Sequence, residues 1–150
     1  MLDFKVEKYE DCISEVSAYY PAHYDELASN KEIPLDPSYD SYDVMAKAGL
    51  LHVVVARKDG VLVGYHISIV MRHLHYRKSL TAMTDIYYLR KDCRKGMNGV
   101  NLFKFMESSL KAIGVERIYM MTKTDFNKGA ILERLGYVEK ERIYTKMIGD

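Results

Sequence analysis

A chain of 150 residues, 48% hydrophobic and 29% charged, has the balance of an ordinary globular protein and is long enough to bury a core within one domain, 1–150. Its formal net charge of +1 excludes a nucleic-acid binder that works through a broad basic field, but not a local basic patch for a small anion. The apolar run LLHVVVA is too short to cross a bilayer, the N-terminus lacks a signal-like run, and Cys12 and Cys93 lack metal-type spacing, so the expectation is a cytoplasmic protein with reduced thiols and no metal.

Residues 2–8 alternate loosely and predict a strand. Apolar residues at 13, 16 and 20 predict a helix over Glu10–Tyr20 that Pro21 ends or breaks, followed by a short helix over Ala22–Ala28. The segment ASNKEIPLDPSYDS holds Pro34 and Pro37 and reads as a loop. Tyr39–Ala48 then reads as a helix stopped by Gly49. Two β-branched runs joined by Lys58-Asp59-Gly60 form a strong hairpin signal over 51–70. After the connection MRHLHYRK, SLTAMTDIYYL gives a third consecutive strand. Val100, Phe103, Met106, Leu110 and Ile113 share one face of a helix over Gly99–Ile113, closed by Gly114. The strand ERIYMM, a short helix KGAILERL closed by Gly136, and a final strand YVEKERIYTKMI complete the chain. This order predicts an α/β fold: a mixed, mostly antiparallel central sheet flanked by helices, with one right-handed parallel crossover.

The crossover contains the most suggestive chemistry. Arg94-Lys95-Gly96-Met97-Asn98-Gly99 joins a strand to a helix, where ligands of such sheets tend to lie. The first amides of a helix lack internal partners and carry partial positive charge, so they suit an anion. Arg94 and Lys95 add charge, and the two glycines allow close backbone approach. Neither GxxxxGK[ST] nor GxGxxG occurs. On residues alone the loop reads equally as a phosphate cradle and as a solvated tight turn.

Element order and loop together resemble the GCN5-related N-acetyltransferase (GNAT) superfamily, and most closely its small bacteriophage-encoded members. The loop is similar to the family's [QR]-x-x-G-x-[GA], with Arg94 and Gly99 at its ends and Met97 in place of a glycine. ERLGY, residues 133–137, is similar to the family's E-K-x-G-[FY]. The resemblance implies a GNAT-like fold with a splayed strand pair at the coenzyme site. It also implies acetyl-CoA as co-substrate and acetyl transfer to an amine, of a small molecule or of a host protein. Homodimers are common in the family, and a phage-encoded member would work in the host cytoplasm.

The same resemblance distributes the roles. Amides from Lys95 through Gly96, Met97 and Asn98 to Gly99 would hold the coenzyme's pyrophosphate. Tyr87 and Leu89 would offer main-chain groups to its pantetheine arm. Asn127 and Lys128 would lie near the coenzyme. Asp85 is the one carboxylate of its strand and reads either as the base or as a paired structural aspartate; strand alternation would put it on a face with Met83 and Tyr87. His73 and His75 share a face if extended, and His75 is a second candidate for catalysis or substrate binding. His52 and His66, inside apolar strands, read as core or edge residues with ordinary hydrogen bonds. Leu132 occupies the position where many members carry the tyrosine that protonates the leaving thiolate. An architecture retained as a binding module for a host protein, with little or no catalysis, is therefore the competing expectation.

Overall fold

The computed structural model describes residues 1–149. Five strands form one sheet in the order β1 (Asp3–Glu7), β2 (Leu51–Lys58), β3 (Val61–Arg72), β4 (Leu80–Leu89) and β5 (Arg117–Tyr119). Strands β1 to β4 pair antiparallel, and β5 joins β4 in parallel. Helices α1 (Tyr9–Ser17), α2 (Tyr20–Leu27) and α3 (Tyr39–Lys47) lie between β1 and β2 in sequence, α4 (Asn98–Ala112) between β4 and β5, and α5 (Gly129–Arg134) follows β5.

Period-two alternation divides the sheet's side chains between two cores. Val53, Val55, Leu62, Tyr65 and Ile67 pack beneath Cys12, Val16 and Tyr20 of the first helices. Val54, Val70 and Ala82 pack on the other face against Leu102, Met106 and Leu110 of α4. Most of these side chains are fully buried, each worth about 1.5–3 kcal/mol of transfer free energy. The β2–β3 hairpin turns at Asp59 and Gly60, both at positive φ (51° and 82°), the pair of conformations that a two-residue turn of matching twist requires. A triad of charge ties β1 and α1 to β2: the Arg57 guanidinium donates to both oxygens of Glu7 at 2.9 Å and to Glu15 at 2.7 and 2.9 Å.

Four expectations change. Pro21 opens α2 rather than ending the preceding helix, because a proline in the first turn forfeits an N–H that has no helical partner there. Helix α4 buries Leu102, Phe103, Met106 and Leu110, while Ile113, at its C-terminal boundary, is exposed. The strand expected over 116–121 is only Arg117–Tyr119. Residues 137–148 form no strand: Val138, Ile143, Tyr144 and Ile148 are exposed, and three-residue β5 offers few backbone groups to a neighbour.

Pairing of β4 with β5 runs only from Thr81–Arg117 to Met83–Tyr119, although β4 continues to Leu89. The ladder stops at Met83 because β5 ends at Tyr119, which leaves the β4 edge beyond it unpaired, a gap that the Tyr87 hydroxyl crosses by donating to the Met121 carbonyl at 3.3 Å. Opposite the gap, the β3–β4 register slips between Ile67 and Ser68, which leaves Asp85 as an extra residue on β4.

Candidate functional site

The gap, the loop after β4 and a cavity beneath α2 lie next to one another. The main chain of β4 supplies the first component. Arg90 N–H donates to Val63 at 2.8 Å, so by alternation the N–H and C=O of Leu89 and Tyr87 turn away from β3, toward the gap. The Leu89 carbonyl already accepts from Arg94 Nε at 2.5 Å, so Leu89 offers its N–H alone.

The loop is built around internal contacts. A 3₁₀ turn over Lys91–Cys93 buries the Cys93 side chain. Lys95 N–H donates to Cys93 O at 2.9 Å and Asn98 N–H to Lys95 O at 3.3 Å. The Asn98 carboxamide donates to Cys93 O at 2.9 Å. Gly96 has φ +58°, a conformation that costs a side chain strain. The amides of Gly96, Met97, Gly99 and Val100 have no acceptor among the described residues. A Cβ at Gly96 or Gly99 would meet nothing within 4 Å, so the backbone there is open to a ligand. The four free amides thus differ from the run Lys95 to Gly99, since Lys95 and Asn98 are spent on the loop itself.

Arg94 does not extend into that opening. Its guanidinium donates to both carboxylate oxygens of Glu26 on α2, one at 3.0 Å, and lies 5.2 Å from the centroid of the Tyr88 ring. Glu26 is held below the usual carboxylate range chiefly by that hydrogen bond. Arg94 is a tether between α2 and the loop, and Lys95 is the exposed cation beside the free amides.

The cavity, about 520 Å³, lies between α2, the 28–38 loop, Tyr42 of α3 and Ile86 of β4, with Lys123 at its edge. Asp85 stands behind this wall and accepts a hydrogen bond from Tyr42 Oη. Burial, then the bond to Asp85, pushes the Tyr42 phenol far above its ordinary value, so it stays protonated. His23 lines the cavity, its Nδ1 2.9 Å from Tyr65 Oη, and burial lowers its pKa. The bulge separates Asp85 from Tyr87. Asp85 faces α3, while Tyr87 packs on His66 and Phe103 of the α4 side, ring centroids 5.9 and 5.3 Å apart. The shared face expected of these two residues fails because the extra residue reverses the alternation.

His75 sits in the β3–β4 connection, at the end of β4 remote from the loop; nine residues of strand span about 30 Å. The structure does not bring it to Asp85. Its backbone N–H donates to His73 Nδ1 at 3.1 Å, and both rings border Tyr76 or each other in the exposed turn. Among the described residues no group of three or more His, Cys, Asp or Glu side chains converges on a metal-sized point. Asn127 Oδ1 accepts from Gly129 N–H at 2.7 Å, which occupies it at the start of α5, and Lys128 is exposed. Leu132 is buried at 6% exposure and supplies no hydroxyl. His66 lies 3.3–3.4 Å from the Ser68 and Thr84 hydroxyls, whereas both ring nitrogens of buried His52 lack a partner, unlike the ordinary bonding expected of it.

Sequence reasoning missed His23 and the pairing of Glu26 with Arg94. The density of tyrosines and carboxylates over 10–48 was the available signal: Tyr20, Tyr24, Glu26 and Tyr42 all belong to it. Tyr19, the first tyrosine of the segment, instead braces β3 through a 2.7 Å bond to Leu62 O.

No model of a known protein family matches the chain, and no curated protein sequence matches it. Solved structures do. An aminoglycoside acetyltransferase from an uncultured soil metagenomic sample, in complex with sisomicin, superposes with a TM-score of 0.76 at 12% identity, covering 99% of this chain and 97% of that one. A ribosomal-protein-alanine N-acetyltransferase from Brucella melitensis gives 0.73 at 15% identity, over 99% and 100% of the chains. A predicted acetyltransferase from Clostridium acetobutylicum, solved with acetyl-CoA, gives 0.71 at 10% identity, over 99% and 97%. At such identities the likeness is one of fold: the mixed sheet with its terminal parallel pair is the GNAT architecture.

Proposed function

We propose that the chain is an acetyl-CoA-dependent N-acetyltransferase of the GNAT superfamily that acts on an amine. The observation that carries this reading is the set of four unpartnered amides at the N-terminus of α4, beside the gap between β4 and β5. Open backbone at Gly96 and Gly99 fits a pyrophosphate, and Lys95 adds an exposed cation. Tyr87 main-chain groups and the Leu89 N–H suit the amide-bearing arm of the coenzyme. Acetyl-CoA supplies an acetyl thioester whose carbonyl carbon the amine attacks, so that an N–C bond forms as the C–S bond breaks.

The chain's own contribution is to hold the amine and take its proton. Asp85 receives that proton, through the Tyr42 hydroxyl that already donates to it or after that hydroxyl swings aside. His75 has no part in this step. Leu132 gives no proton to the departing thiolate. That absence favours a second reading, in which the fold engages a host protein with little turnover.

Calorimetric titration with acetyl-CoA, followed by a thiol-release assay over a panel of amines, separates the two. Lys95→Glu should weaken coenzyme binding about fivefold to tenfold. Asp85→Asn should leave that binding intact and lower kcat on the order of a hundredfold. Absence of binding at millimolar coenzyme would sink the enzyme reading, and binding without thiol release from any amine would favour the binding module.

A further inference from the structure

The end of the sheet remote from the coenzyme loop carries charge that nothing in the chain uses. Residues 60–84 contain no carboxylate, and their Lys and Arg side chains, Arg72, Arg77 and Lys78, gather where β3 turns into β4. Glu116 N–H donates to Leu80 O at 2.9 Å, which brings the turn after α4 to the same end with Lys111, Ile113 and Arg117. All five cations are exposed, and among the described residues none of them forms an ion pair. Glu116 stands beside Arg77 and Lys78, and Glu141 is close enough to act on Arg117, so the cations remain in surplus.

This end also presents apolar side chains to water. Leu74 is 88% exposed within the β3–β4 turn, Tyr76 59% and Ile113 54%. The turn holds its shape through its own bonds. His73 N–H donates to Ser79 O at 3.1 Å, Tyr76 N–H to His73 O at 3.1 Å and Ser79 N–H to Tyr76 O at 2.8 Å. Arg72 closes the base by donating to Lys78 O at 3.2 Å, and the His73 and Tyr76 rings pack with centroids 4.8 Å apart. Leu74 is therefore held outward by a braced turn.

Cations around an exposed apolar side chain ask two things of a partner: anionic oxygens, and hydrocarbon close behind them. Nucleic acid offers the phosphates but leaves Leu74 and Ile113 in water, and a net charge of +1 gives no broad field to attract it. An anionic lipid leaflet has both layers, with charged headgroups outside and acyl chains within. Tyrosine suits that boundary, because its ring is apolar and its hydroxyl polar.

We propose that the β3–β4 turn, together with the turn after α4, is a docking surface for an anionic membrane leaflet. Leu74 enters the boundary between headgroups and acyl chains, while Arg72, Arg77, Lys78 and Arg117 meet lipid phosphates. The free amides at the start of α4 lie at the opposite end of β4, so a docked molecule keeps its coenzyme site open to solvent. The inference does not depend on the acetyltransferase reading.

Flotation of the full-length chain with vesicles tests it. One set is pure phosphatidylcholine, a second carries about one-third phosphatidylserine, and polyuridylate is titrated separately as the nucleic-acid probe. The serine-containing vesicles should bind the chain at least about tenfold more tightly, and added salt should release it. Arg77→Glu combined with Lys78→Glu should weaken that binding at least about tenfold, and Leu74→Ser alone about tenfold. The urea midpoints of these variants should match that of the parent chain, because all three side chains are exposed. Equal binding to both vesicle types overturns the proposal. So does vesicle binding unchanged by Leu74→Ser, which would mark charge attraction without insertion. Tighter binding to polyuridylate than to vesicles, lost in the doubly reversed protein, assigns the surface to nucleic acid and overturns it as well.

Discussion

At the scale of single residues, His52 shows how a buried polar group sets a pH limit. Both ring nitrogens are unpartnered, and burial alone lowers its pKa from 6.5 to about 4. Above pH 6.5 the ring is neutral in the folded and unfolded chains, and stability does not depend on it. As pH falls below 6.5 the unfolded chain binds a proton that the folded one refuses until about pH 4, so folding weakens across that window. The full effect is on the order of 3 kcal/mol for this residue. His66, lowered to about 3 chiefly by burial, adds to the same acid limb. His52→Leu should therefore raise stability by about 1 kcal/mol at neutral pH, through loss of the orphan nitrogens. It should also flatten the decline between pH 6.5 and 4 in urea titrations; an unchanged acid limb would show that His52 is hydrated in solution.

At the scale of elements, the tether between α2 and the loop matters most. Arg94 fixes Glu26, the Leu89 carbonyl and the Tyr88 ring together, and α2 carries Tyr20, His23 and Tyr24 of the cavity wall. Because the guanidinium is one-third exposed, its ion pair is worth less than a buried one. Arg94→Ala should cost about 1–2 kcal/mol in urea unfolding, and should weaken amine and coenzyme binding together. Glu26→Gln keeps the size and loses the charge, so it should show the same paired loss in milder form. A defect confined to coenzyme affinity would instead mean that Arg94 reaches the phosphates directly. Gly64 supports the same corner from below: a Cβ there would stand 2.7 Å from a Leu89 side-chain carbon and 2.8 Å from the Tyr88 carbonyl.

At the scale of the molecule, what was legible in the sequence is what short-range chemistry decides. Asp59-Gly60 announced the hairpin because only its two positive-φ positions needed satisfying. The basic loop announced the crossover because glycine and a helix start lie within a few residues of each other. The site's finer arrangement depends on partners distant along the chain. Arg94 meets Glu26 across 68 positions, and Tyr42 meets Asp85 across 43. The bulge at Asp85 is a property of its pairing with β3, invisible in SLTAMTDIYYL itself. The final strand failed for a related reason: β-prone residues in 137–148 describe a willingness to pair, and pairing needs an edge. The unpaired β4 edge beyond Met83 also gives the sheet an uneven rhythm of hydrogen exchange. Main-chain amides of Tyr65 and Tyr88, locked between strands, should exchange with deuterium orders of magnitude more slowly than those of Tyr87 and Leu89, which face the gap. Adding acetyl-CoA should slow the second pair and leave the first nearly unchanged, so that the seam in the sheet acts as its own reporter of occupancy.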